Sequence, residues 1–226
     1  MELNNDLYRD EGMYVHCENG TVFNFSLKNV EILADEYWNN PEKLSNEIKY
    51  DELFKTCSVC PYRGKDVLCS AIKPLLPFLE NLDDFKSLDP VTVVCRDSNG
   101  VLSVKNTDMQ NALQYLTDMS VNQYCEDMKK YKEYYSGIRP LSSTQENVQT
   151  LLLNIFWKSD GDRDKTRSTI KELQKAIDIT TRNCIDRLHL ICRSDAFKNA
   201  YVRTHILGDL IAGYSEKFLE GKGIAY

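Results

Sequence analysis

The chain has 226 residues, 42% of them hydrophobic and 27% charged, with a formal net charge of −6. This is the composition of an ordinary globular protein long enough for one large domain or two small ones. The acidic balance argues against nucleic acid as a partner, because neutralising phosphates needs a basic face. The opening residues Met1 to Glu11 carry no basic start and no apolar run, so no secretory signal is read there. No stretch approaches the roughly 20 apolar residues of a membrane helix, and no membrane partner is expected. Eight cysteines without a signal point to a reducing, cytoplasmic setting, where thiols bind metal or pack as small hydrophobes.

In chain order, residues 1–12 are read as a flexible N-terminus. Met13 to Cys17 and Thr21 to Leu27 are β-rich runs joined by Glu18-Asn19-Gly20. Asn-Gly between such runs signals a hairpin, since both residues tolerate positive φ. In the second run Phe23, Phe25 and Leu27 alternate onto the face expected to meet the core.

A helix is expected after Asp66, broken near Lys73 because Pro74 and Pro77 forbid a regular course. A second hairpin runs from Pro90 to Cys95, through Asp97-Ser-Asn-Gly100, to Val101–Lys105. The two hairpins predict a small antiparallel sheet of about four strands, too small to stand alone, so helices must cover one face. One such helix is expected from Thr107, as its N-cap, through Met119.

Beyond residue 120 the chain reads as helical. Lys129, Lys130 and Lys132 are interleaved with Glu126, Asp127 and Glu133, a solvated face rather than a binding strip. Tyr124, Tyr131, Tyr134 and Tyr135 are expected to be partly buried against the helical half. Ser143-Thr-Gln-Glu146 is a capping box opening Val148–Trp157, a run apolar nearly all round and expected to be buried, ended by Ser159–Asp162. Ile170, Leu173, Ile177, Thr180, Cys184, Leu188 and Ile191 then step by three or four residues along one helix from about Asp162 to Arg193. At 1.5 Å per residue it would be on the order of 48 Å long. After a corner at Ser194-Asp195 a second stripe follows in Phe197, Tyr201, Leu207, Ile211, Tyr214 and Phe218. Two such helices make an antiparallel αα-hairpin. The fold class is therefore α+β. A part over 13–120 carries the hairpins, a helical part over 121–220 shares its core, and 221–226 form a tail.

Cys57-Ser-Val-Cys60, followed by Cys69, is the main chemical motif. Cys-x-x-Cys lets two thiolates converge on one ion from a tight turn, and structural zinc takes four thiolate or imidazole ligands. The local sequence supplies three. Cys125, His16 and Cys17 are the candidates for the fourth, while Cys95 and Cys184 read as buried core thiols. His189 and Cys192, at i and i+3, also read as core. Zinc is the first reading, an iron–sulfur cluster on the same thiolates the alternative, and redox-active or merely packed cysteines the remainder. Of catalytic signatures, the nucleophile elbow, the phosphate-binding loop, the dinucleotide fingerprint and the histidine-pair metalloprotease motif are all missing from the sequence. Neighbouring carboxylates such as Asp83 and Asp84 read as solvated or capping groups. The expected role is non-catalytic: a zinc-stabilised protein that binds a protein partner or itself. The alternatives are a redox protein and a small-ligand sensor or enzyme with a pocket between sheet and helices.

Several segments together resemble a family of uncharacterised bacterial proteins, a domain of unknown function. They are the hairpin Tyr14–Leu27, Cys57-Ser-Val-Cys-Pro61 with Cys69 opening a helix, Val91–Val104, Met109–Gln114, Cys125, and Asp195–Ala200 leading into Leu207–Ala212. In that family a cysteine follows the helix after the second hairpin, so the resemblance implies Cys125 as the fourth ligand. The chain departs from the family pattern around that cysteine, where Gln123-Tyr-Cys-Glu-Asp127 and Ile138-Arg-Pro-Leu141 stand. The resemblance brings no known activity.

Overall fold

The computed structural model describes residues 7–44, 55–65, 67–79, 81–82, 84–140 and 142–222. The expectations placed on residues 1–6, Asp66, Asp83, Leu141 and 223–226 lie outside these. Strands β1 (Gly12–Cys17), β2 (Val22–Ser26), β3 (Pro90–Arg96) and β4 (Leu102–Asp108) form one antiparallel sheet in the order β2-β1-β3-β4. Both hairpins form as expected, and β1 joins them by pairing with β3, Met13 opposite Cys95 and Val15 opposite Val93. In the first turn only Gly20 takes positive φ, at 86°, while Asn19 accepts the Thr21 amide on its side-chain oxygen. The two-residue period sends Met13, Val15, Phe23, Phe25, Val91, Val93 and Cys95 into the main core. The other face carries a smaller cluster of Tyr8, Tyr14 and Val94.

Helix α1 (Leu27–Asn39) follows β2 at once, capped by Ser26, whose hydroxyl accepts the Asn29 amide. Leu27 is thus the first helical residue rather than a third strand position, because the cap ends the alternation. The helix expected after Asp66 does not form. Ser70–Ile72 are turn, and Lys73–Phe78 are a 3-10 helix with Pro74 in its first turn and Pro77 inside. Two prolines three residues apart lack the amides a regular helix needs, yet the segment is apolar enough to be buried. Helix α2 (Met109–Met119) is capped by Asp108, not Thr107. Thr107 is still paired with Val91 in the sheet, and the Asp108 carboxylate accepts the Asn111 amide. A π-helical turn, Ser120–Tyr124, continues α2, and a 3-10 stretch, Met128–Tyr135, follows. Tyr131 is buried, and Tyr124, Tyr134 and Tyr135 pack half-buried on the core.

Helix α3 (Thr144–Lys158) opens on the full capping box, Ser143 and Glu146 bonding reciprocally. It is not buried all round: Leu153 is 46% and Trp157 73% exposed. Helices α4 (Arg163–Ile191) and α5 (Asp195–Leu219) form the long hairpin. All seven residues of the α4 stripe are buried. Of the α5 stripe, Phe197, Tyr201, Leu207 and Ile211 are buried, and Tyr214 and Phe218 lie half-exposed toward the end. The helices approach closely at Gly208, where an added Cβ would lie 3.1 Å from the Ile177 side chain. Residues of the sheet, α2, α3, α4 and α5 belong to one hydrophobic core, so the α+β and helical parts are packed as one body.

Candidate functional site

Cys57 and Cys60 bracket a tight turn in which the Cys60 amide donates to the Cys57 carbonyl at 3.1 Å. The turn also aims the Val59 amide at the Cys57 sulfur. Burial pushes the Cys57 thiol up, and Cys60 and Cys69 push the same way; the Val59 amide and Arg187 oppose them. Cys69 does not open a helix. It precedes the turn into the 3-10 segment, its carbonyl accepting the Ile72 amide at 3.0 Å.

Cys125 reaches this loop from the end of the π-turn. It is buried on the side of α4, with Thr180 Oγ1 3.9 Å from its sulfur. Burial raises its thiol to about 11, against backbone donation from Met128 and Asp127 to the sulfur; Cys69 adds to the rise. Cys184 also belongs to this neighbourhood. Burial drives it up, and it interacts with Arg187, Cys69, Cys125 and the Tyr201 hydroxyl. Cys184 is therefore the core thiol the sequence suggests, but one that borders the cysteine loop.

The structure brings Cys57, Cys60, Cys69 and Cys125 into one neighbourhood without closing them into a ligand set. Among the described residues no three of His, Cys, Asp and Glu gather tightly enough to hold an ion. His16 is engaged elsewhere, bonded to the Tyr8 hydroxyl at 2.8 Å. Cys17 is buried in the sheet, its thiol raised to about 11 by burial and by Asp89. Neither shares the cysteine neighbourhood. His189 is exposed, not core, while Cys192 turns inward toward the carbonyls of Leu79 and Ser194. Cys95 is the buried strand thiol expected, pushed up to about 12.

The residue that sequence reasoning missed is Arg187. It is only 3% exposed, and among the described residues no carboxylate pairs with it. Its Nε donates to the Asn183 carbonyl at 3.3 Å, its Nη2 to the Asn183 side chain, and its Nη1 finds no geometrically sound hydrogen-bond partner among the described residues, with the Cys69 thiol against the guanidinium. Burial pulls the guanidinium pKa down, but Cys184 and the adjoining Cys69 more than offset that. A signal existed in the sequence, since Arg187 falls between Cys184 and Leu188 on the α4 stripe, where a charge has no reason to be unless it is paired.

A second feature left no motif. A cavity of about 1090 Å³ opens between β3–β4, α2 with its π-turn, the Met128–Pro140 stretch, the start of α3, and α5. Its enclosed wall includes Val93, Ala112, Met119, Asn122, Asn147 and Leu207, and its rim the exposed Lys105, Lys132 and Arg139. The side-chain oxygens of Asn122 and Asn147 are buried without a hydrogen-bond partner. Asp118 sits in the same wall. Burial raises its carboxyl to about 7, while the Thr204 hydroxyl, donating at 2.7 Å, and Arg203 act the other way. The Tyr135 hydroxyl is pushed up by burial and by Asp118. Beyond this, no helix among the described residues is long and apolar enough to cross a membrane. No protein-family model, curated protein or solved structure matches the chain.

Proposed function

We propose that the protein is a non-catalytic, zinc-stabilised cytoplasmic protein of bacterial type that works by binding, with Cys57, Cys60, Cys69 and Cys125 as the ligands. The observation that carries this reading is the buried Arg187 guanidinium against Cys69, with no carboxylate among the described residues to neutralise it. A buried, unpaired charge costs several kcal/mol. A centre of four thiolates on a divalent cation keeps net negative charge, and would supply the missing counter-charge. Backbone donation to the sulfurs of Cys57 and Cys125 supports the same reading, since such bonds favour thiolate over thiol and orient metal ligands. Metal elsewhere contributes on the order of 10 kcal/mol to folding.

An iron–sulfur cluster would use the same thiolates and the same sulfur hydrogen bonds. Elemental analysis of anaerobically purified protein separates the two. One equivalent of zinc in colourless protein is expected, and it should fall below half an equivalent in Cys57→Ser and in Cys125→Ser. Iron with visible absorbance would select the cluster. Fully folded, metal-free wild-type protein would end both readings. For the binding role, Leu153 and Trp157, one turn apart on α3, together with Val202 and Ile206 on α5, are exposed apolar side chains suited to a protein contact.

A further inference from the structure

The cavity at Asp118 has a charge opposite to that of the protein. The chain carries a net −6, yet the cavity is lined by six cationic side chains, Lys105, Lys129, Lys130, Lys132, Arg139 and Arg203, against two acidic ones, Asp118 and Glu133. Lys129 and Lys130 are paired outward with Glu126 and Asp127. Arg203 donates to Gln114 at 3.0 Å. Lys105, Lys132 and Arg139 make no ion pair among the described residues and stand exposed at the rim. A concave site lined by one sign focuses the field and raises the local concentration of oppositely charged solutes.

The mostly apolar interior carries convergent polar groups that an unused cavity would lack. Asn122 and Asn147, both in the lining, each keep a buried amide oxygen without a hydrogen-bond partner among the described residues, and leaving such a group unpaired is costly. Gln114, Asn111, Thr107 and Tyr115 line the same space. Native interiors seldom keep such groups idle, and convergent polar groups in a large cavity are the mark of a ligand site. The volume, about 1090 Å³, exceeds what a single small ion needs and suits a molecule up to nucleotide size.

We propose that this cavity binds a small organic anion, its phosphate or carboxylate held at the rim by Lys105, Lys132 and Arg139 and its polar body by the asparagine-lined wall. The site is independent of the cysteine centre: none of its lining residues is a cysteine. It goes beyond the binding role above by naming the chemistry of what is bound.

The test uses the purified full chain and probe pairs that differ in the charged group: AMP and adenosine, glucose 6-phosphate and glucose, glutamate and glutamine. Binding is read by ligand-observed NMR and calorimetry. At least one anion should bind, and its neutral counterpart at least about tenfold more weakly, with an affinity that falls as salt rises. Which pair responds decides between phosphate and carboxylate. The double variant Lys132→Ala/Arg139→Ala alters only exposed side chains and should keep the wild-type circular dichroism while losing most of the preference. Lys28→Ala, far from the lining, should keep it. Absence of binding by all three anions, equal binding of anion and neutral counterpart, or a preference intact in the double variant would overturn the proposal.

Discussion

Asp118→Asn should remove about 2 kcal/mol of stability loss that the wild type suffers as pH rises from 5 to 7. The Asp118 carboxyl titrates near 7 in the fold, against an ordinary value of 3.8, because burial outweighs the Thr204 hydroxyl and Arg203. A raised carboxyl pKa means the folded state holds the proton more tightly than the unfolded chain. Its stabilisation is therefore complete below 3.8 and is lost progressively as pH rises toward 7. Between pH 5 and 7 the loss starts at about 1.4 kcal/mol per pH unit and slackens as the carboxyl becomes half ionised, reaching about 2 kcal/mol in all. In a chain of this size that corresponds to about 4–8 °C in Tm. Asparagine keeps the shape and can still accept from Thr204 Oγ1 but has no proton to lose. Calorimetric melts of both proteins at pH 5, 6, 7 and 8 give the difference directly, and titrations common to both, such as that of His16, cancel. The variant should gain on the wild type steadily up to pH 7 and then level. A constant difference from pH 5 to 8 would refute the assignment of the shift to Asp118.

The remaining predictions concern packing, capping and the buried cation. Gly12→Ala should cost at least about 2 kcal/mol in urea denaturation. Gly12 sits at φ +135°, and an added Cβ would lie 2.5 Å from Ser26 Cα and 2.9 Å from the Phe25 carbonyl, so the β1–β2 pair must shift. Ser143→Ala should remove the hydroxyl half of the α3 capping box, leaving the residue 143 amide to donate to Glu146, and cost about 1 kcal/mol in the same assay. Arg187→Met keeps the volume and removes the charge. In metal-loaded protein it should lower the chelator concentration that strips half the metal by about tenfold or more, whereas a purely structural arginine would leave that midpoint unchanged and shift only Tm.

What could be read from sequence were features encoded over a few neighbouring residues. The Asn19-Gly20 turn, the alternation of Phe23 and Phe25, the Ser143–Glu146 box and the Ile170–Ile191 stripe each follow from a local rule, and each is present. Helix α1 was legible but overlooked: Val30, Leu33, Ala34 and Tyr37 keep a helical period, and Ser26 is a sound cap, but the strand pattern of Phe23 and Phe25 carried the eye through Leu27. The helix after Asp66 failed because two prolines in an apolar segment leave a 3-10 course as the only compact option. Asp108 beat Thr107 as a cap because β4 needed Thr107 for pairing, a tertiary demand invisible along the chain. Cys125 stands beside His16 and Cys17 as a sequence candidate for joining the cysteine loop, and resemblance alone singles it out. The cavity had no local signature at all, since its wall is assembled from five separated stretches.

The cysteine loop and the cavity meet at the π-turn. Ser120 ties that turn to the far side of the core, bonding the Ala71 carbonyl and the Tyr201 hydroxyl. Two residues on, Asn122 faces the cavity wall, and at its end the Cys125 amide closes on the Ser120 carbonyl at 3.1 Å. A π-turn holds one residue more than an α-turn. Removing it would rotate everything downstream by about 100° and draw it back by about 1.5 Å. Asp118 and Tyr115, upstream on α2, would keep their places in the cavity. Cys125 would swing off the flank of α4, away from Cys69 and Thr180. The extra residue is what lets a single helical run present amides to the cavity and then turn the Cys125 thiol toward Thr180 and Cys69. In a regular α-helix a spacing of seven would return Cys125 to the face of Asp118, and the π-turn is what takes it off that face.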